Sequence, residues 1–302
     1  MKWLEISVQA DGEAAEAVCE VFNRYGQGGA VIEEVLAPND EASTYLSPPL
    51  VRVKAFLPLD DAHEEGRQRL EEALWHLGQL YPIPPPQIRE LAEEDWAEAW
   101  KRGYGVQRIG RRIVAVPSWQ AYTPHAEDIV LRLDPGLAFG TGLHPTTRMC
   151  LVALEARLEP GARVLDVGTG SGILAIAAAK LSASQVLALD IDPLAVRIAR
   201  ENVRLNGVKD IVTVREGSLE TGNLDLGTWD LILINILAET IIDLAGDLST
   251  LLKPGGLLIA GGIIAEHEPA VVAGLRQANV TVVERLQDGD WVSLIGVRGP
   301  GH

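Results

Sequence analysis

The sequence predicts an α/β protein in two parts, a small α+β domain followed by a larger domain built on a mostly parallel sheet. Three observations carry this expectation. The first 92 residues read as strand-helix-strand-strand-helix-strand; from Val106 onward short apolar runs alternate with helical stretches; and one of those runs opens into a glycine-rich turn, Asp166-Val-Gly168-Thr-Gly170-Ser-Gly172. A length of 302 residues accommodates one large domain and one small one.

In chain order, WLEISVQ is a strand, and Gly12 to Tyr25 a helix with Ala15, Val18, Cys19 and Phe22 on one face. AVIEEVLA and LVRVKAFL are strands, a second helix spans about Asp61 to Leu80, and QIRELAE after the proline cluster is a last strand. This order is the split β-α-β pattern of ferredoxin-like domains, closing a domain over residues 1–92. The next segment, 93–105, is expected to be a linker helix whose Trp96 and Trp100 lie on one side and pack against the following domain.

Over residues 106–302, RVLDVG, QVLALDI, IVTVRE, DLILINI and LLIAGG are continuous apolar strands, separated by helices such as Ile173 to Leu181 and Pro193 to Asn206. Strands of this kind are buried on both faces, so they belong to a parallel sheet covered by helices. The tail ANVTVVERLQDGDWVSLIGVR adds two strands around the turn pair Asp288-Gly289, an antiparallel hairpin.

Composition narrows the classes. Hydrophobic residues make up 47% and charged residues 23%, the balance of an ordinary globular protein. No apolar stretch approaches the roughly 20 residues that span a bilayer and the start lacks the apolar segment of a secretory signal, so a cytoplasmic location away from membranes is expected. Cys19 and Cys150 stand far apart without CxxC or CxxH neighbours and read as free thiols, with no metal site. A net charge of -16 repels a phosphate backbone, which disfavours free nucleic acid; it suits a basic protein partner, and equally it suits solubility alone. Residues 1–92 alone hold seven Lys or Arg against 16 Asp or Glu, concentrating that charge in the first domain.

The residues suited to chemistry sit at strand ends. The third glycine of the turn, Gly172, follows Gly168 by four rather than the five of a nicotinamide fingerprint, which argues against a dehydrogenase. The form D-x-G-x-G-x-G instead resembles the S-adenosylmethionine motif, in which Asp166 would face the methionine ammonium while Gly168 and Gly170 admit the amino-acid part. Asp190, at the end of the second strand, is suited to both ribose hydroxyls, whereas Asp192 before Pro193 reads as a helix N-cap. Asn235 ends the fourth strand, where it can accept a hydrogen bond from an amine or contact the cofactor; the alternative is a helix cap. It lacks the prolines and aromatic ring of the Asn-Pro-Pro-Tyr type. Upstream, Leu133 to Thr147 (LDPGLAFGTGLHPTT) precedes a helix start that suits a carboxylate, and it carries His144, a structural histidine or a catalytic base.

Together DPGLAFGTGLHPTT, VLDVGTGSGILAIAAAKL, ALDIDP, INILAE, GGLLIAGGI and the terminal DWVSL resemble the PrmA family of ribosomal-protein methyltransferases, over nearly the whole chain. The resemblance implies a class I methyltransferase fold, a Rossmann-like seven-stranded sheet behind the ferredoxin-like domain, with S-adenosylmethionine as cofactor. It implies Thr147, Gly168, Asp190 and Asn235 as cofactor contacts. The substrate it implies is the eleventh large-subunit ribosomal protein, methylated on lysine side-chain and N-terminal amines. The family commonly has cysteine where this chain has Thr169, whose side chain is expected to point off the loop. The alternatives are a class I methyltransferase of RNA or of a small molecule, which leaves the acidic domain without a purpose, and a module that holds the cofactor without turnover. Oligomeric state is not legible from the sequence.

Overall fold

Leu4, Ile6, Val8 and Ala10 of strand β1 (Lys2–Ala10) recur at the period of two that turns one face of a strand inward, and all four are buried. In the computed structural model they meet Ala14, Ala15, Val18 and Phe22 of helix α1 (Gly12–Tyr25), together with Leu70 and Leu74 of α2 (His63–Leu77). Cys19 packs half-buried at the edge of this cluster. With β2 (Gln27–Glu34), β3 (Val51–Pro58) and β4 (Gln87–Ala92) the strands form an antiparallel sheet of order β2-β3-β1-β4, the ferredoxin-like arrangement. The structure describes residues 2–10, 12–25, 27–34, 51–59, 63–79, 81, 83–92, 105–133, 144–219 and 227–300. The chain divides into units Met1–Gly105 and Val106–His302. The expected linker helix with Trp96 and Trp100 lies outside the described residues.

The second unit opens with an element the sequence reading missed. Strands β5 (Gln107–Ile109), β6 (Ile113–Pro117) and β7 (Ile129–Leu133) form a separate three-stranded sheet, with β6 and β7 parallel. After α3 (Pro145–Arg157) come β8 (Arg163–Val167), α4 (Ile173–Lys180), β9 (Gln185–Asp190), α5 (Pro193–Leu205) and β10 (Val212–Glu216). Then follow β11 (Trp229–Asn235), α6 (Ala238–Leu251), β12 (Leu252–Ile264), α7 (Glu268–Gln277), β13 (Val280–Asp288) and β14 (Trp291–Arg298).

The large sheet has seven strands in the order β10-β9-β8-β11-β12-β14-β13. The first five are parallel, while β14 runs antiparallel to both β12 and β13. Apolar helix faces cover both sides. Residues of α3, α4 and α5 pack with Val164, Val186 and Leu231 on one side; residues of α6 and α7 pack with Leu165, Ile232 and Leu258 on the other. The hairpin register pairs Asp288 with Trp291, so the turn pair is Gly289-Asp290, one residue later than the sequence suggests. Glycine thus takes the first central position, its place in a II′ turn.

The strand order reverses between β8 and β11. At such a point the connections leave the carboxyl ends of neighbouring strands toward opposite faces, opening a crevice in which α/β sheets bind ligands. The glycine turn follows β8, Asp190 ends β9 and Asn235 ends β11, so the topology gathers all three at that edge.

Candidate active site

The glycine turn is held from several directions. The Gly168 and Thr169 amides both donate to Leu189 O at 2.9 Å, and the Gly170 amide donates to Asp190 Oδ2 at 2.8 Å. Asp190 Oδ1 accepts from the Asp192 amide at 3.0 Å, which fixes the orientation of its carboxylate. Gly168 has φ 71, and a Cβ there would fall 2.5 Å from Ile236 Cγ2, so turn and β11 close up only around a glycine. Asp192 is the N-cap of α5, its Oδ1 accepting from the Leu194 amide at 2.8 Å, with Pro193 in the first turn.

Asp166 is fully buried beneath the turn. Its Oδ2 accepts from Thr169 Oγ1 at 2.6 Å and from the Ala175 amide at 3.2 Å, tying the turn to α4, while Oδ1 has no hydrogen-bond partner among the described residues. Burial pushes its carboxyl up to about 7, against the pull of those two donors. Thr169 therefore does not point off the loop, as the sequence reading had it: it is 5% exposed and turned inward onto Asp166. A hydroxyl three residues after an acid in a tight turn was the available signal.

On the other flank, Asn235 Nδ2 donates to Thr147 Oγ1 at 3.2 Å, joining β11 to the buried first turn of α3. Asn235 Oδ1 is buried and accepts nothing among the described residues. Asn235 does not cap a helix; Leu237 precedes α6 and makes no side-chain cap bond. Gly261, paired in register with Asn235 on β12, leaves room for the carboxamide, since a Cβ there would lie 2.7 Å from both Asn235 Oδ1 and Cys150 Sγ. Cys150 is buried 3.8 Å from Ser293 Oγ and burial pushes its thiol up to about 12, so it is an inert packing group.

His144 is the N-cap of α3. Its Nδ1 accepts from the Thr146 amide at 3.4 Å and lies 2.8 Å from Thr146 Oγ1, and its ring meets Trp291 edge-on with centroids 4.6 Å apart. Burial lowers it to about 4, leaving it neutral at pH 7. Its observed contacts are those of a helix cap packed on Trp291. Residues 134–143, which lead into it, lie outside the described residues.

The residues present fit S-adenosylmethionine. Two buried oxygens, Asp166 Oδ1 and Asn235 Oδ1, lack donors among the described residues, and the glycine turn offers backbone without side chains at Gly168, Gly170 and Gly172. Ile191 and Leu237, each 74% exposed at these strand ends, add apolar surface that the sequence reading did not single out. Comparison with known proteins agrees: a model of the family described as ribosomal protein L11 methyltransferase (PrmA) matches residues 2–299. The chain belongs to the PrmA family.

PrmA-family relatives align end to end. The ribosomal protein L11 methyltransferase of Chloroflexus aurantiacus is 51% identical over 318 residues, covering 97% of each chain. That of Herpetosiphon aurantiacus is 44% identical, covering 97% of this chain and 98% of its own. The crystal structure of ribosomal protein L11 methylase from Lactobacillus delbrueckii subsp. bulgaricus superposes with a TM-score of 0.61 at 38% identity, covering 65% of this chain and all of that one. PrmA membership and the sheet order make this chain a class I methyltransferase dependent on S-adenosylmethionine.

Asp190→Ala is expected to weaken cofactor binding by roughly 1.5 to 3 kcal/mol, the worth of hydrogen bonds to a charged group. The same change removes the acceptor for the Gly170 amide, so the turn loosens too. Calorimetric titration showing unchanged affinity removes Asp190 from the site.

Proposed function

We propose that this chain methylates amino groups, lysine side-chain and N-terminal, of ribosomal protein L11, and that its acidic first domain recruits that basic substrate. The observation that carries the reading is Asn235, a carboxamide held by Thr147 at the switch point with an acceptor oxygen left over. The names of the full-length relatives supply the substrate. The place of action is the cytoplasm, where a ribosomal protein is met; no helix among the described residues is long and apolar enough to cross a membrane. No cluster of metal-ligating side chains occurs among the described residues.

S-adenosylmethionine supplies an activated methyl group on a sulfonium. The chain's own task is to align a neutral nitrogen with it and to exclude water. In this reading Asp190 holds the ribose, Asp166 and Thr169 keep the turn in shape under the amino-acid part, and Thr147 sets the rotamer of Asn235. Asn235 Oδ1 then accepts a hydrogen bond from the incoming amine and aims its lone pair. Protonation is the obstacle: a free lysine near pKa 10.4 costs about 4.6 kcal/mol to neutralise at pH 7, an α-amine near 7.8 only about 1 kcal/mol. In this reading desolvation of the amine, or loss of its proton to water, supplies the neutral nitrogen without a dedicated base.

The test is methyl transfer from labelled cofactor to purified L11, with ribosomal RNA as control, at rising salt. Label on L11 alone is expected. The KM for L11 should rise with salt, because the Debye length shrinks from about 10 Å at 0.1 M to about 3 Å at 1 M, while cofactor affinity changes little. Label on RNA overturns the substrate; a flat KM overturns recruitment by charge.

A further inference from the structure

Two asparagines on α5 make contacts that the reaction, as described so far, does not use. Asn202 is 1% exposed, and its Nδ2 donates to Ser171 O in the glycine turn at 2.9 Å. Four residues on, Asn206 ends the helix and reaches the outer edge of β7: its Oδ1 accepts from the Arg132 amide at 2.9 Å and its Nδ2 donates to Arg132 O at 2.5 Å. The same Nδ2 donates to Asn202 O at 2.8 Å, closing the chain of bonds. A primary carboxamide has the donor and acceptor of a peptide group, so Asn206 completes the β7 edge as a one-residue strand would. Arg132 is the residue before Leu133, where β7 gives way to the segment leading to His144 and Thr147.

From this we infer that Asn202 and Asn206 are positioning residues of the cofactor site: one helix end splints the glycine turn to the edge of β7, which holds the turn's backbone in place. The inference rests on the assignment of the glycine turn to S-adenosylmethionine. Neither asparagine touches the cofactor. Asn202 fixes the Ser171 carbonyl of the turn and Asn206 anchors the helix end that carries Asn202, and backbone held from a helix keeps its geometry better than a free loop.

The experiment measures cofactor Kd by calorimetry, kcat at saturating cofactor, and the melting temperature, on full-length wild type, Asn206→Ala, Asn206→Asp and Asn202→Ala. Asn206→Ala, which removes three part-buried hydrogen bonds, and Asn202→Ala, which removes the buried bond to Ser171, are each expected to raise Kd about tenfold, with kcat at saturation within about twofold. Asn206→Asp keeps the acceptor for the Arg132 amide but sets a carboxylate oxygen against the carbonyls of Arg132 and Asn202, so its Kd should rise at least as much as that of Asn206→Ala. Variants that melt lower but bind cofactor as tightly as wild type, measured well below their transitions, overturn the inference, because a purely structural role predicts that result. Should Asn206→Ala fail to fold, Asn206→Asp and Asn202→Ala decide it on the same Kd criterion. Asp190→Ala separates the parent reading: if wild type binds no S-adenosylmethionine, or Asp190→Ala binds it equally well, the site assignment fails and the splint with it.

Discussion

Asn235→Ala lowers kcat for L11 methylation by about 10²-fold, the cost of losing alignment of a reacting group. Two effects add. The amine loses the acceptor that aims its lone pair, and Thr147 Oγ1 loses the Nδ2 donor that ties α3 to β11. Thr147→Val tells them apart, since it removes the tie to α3 and leaves Asn235 Oδ1 in place. A smaller loss of kcat in Thr147→Val than in Asn235→Ala assigns the larger share to the amine. If Asn235→Ala turns over at the wild-type rate, the acceptor assignment is wrong.

Gly262→Ala is expected to destabilise the sheet strongly. Gly262 has φ 79, a left-handed conformation that costs an L-residue about 1–2 kcal/mol. A Cβ there would stand 2.2 Å from Ile236 O and 2.8 Å from Ile236 C, both backbone atoms with no rotamer to escape into. Overpacking adds about 1–3 kcal/mol. The melting temperature should fall by on the order of 10 °C. Activity should fall with it, since relief requires β12 to retreat from the peptide that follows Asn235. Gly255→Ala is the matched control: its φ is 78, but nothing lies within 4 Å of its added Cβ. It tests the conformational cost alone, and equal losses in the two variants would dismiss the close approach of β12 to Ile236 as the cause.

Much of this was legible in the chain because the signals were local. The glycine turn, the Asp-Pro start of α5 and the apolar strand runs each declare themselves within a few residues, and strand order then gathers their ends. What escaped depended on distant partners or short elements. β5 has three residues and β6 five, too few for a period to show, so the small sheet went unread. Thr147 and Asn235 are 88 residues apart and their hydrogen bond leaves no mark in either segment. Asn202 and Asn206 read as ordinary polar residues of an amphipathic helix, since nothing local tells a solvated asparagine from one that completes a strand edge. Thr169 was misjudged because its direction depends on the buried acid below it.

The two buried oxygens without donors, on Asp166 and Asn235, also bear on how long the protein lasts. An unsatisfied buried acceptor costs a fold about 1–3 kcal/mol, and a ligand that binds only the folded chain returns stability, about 2.7 kcal/mol when present at 100 times its Kd. The folded population is thereby tied to the supply of methyl donor. Resistance of the purified chain to proteolysis is therefore expected to rise when S-adenosylmethionine is added, in step with its occupancy of the site.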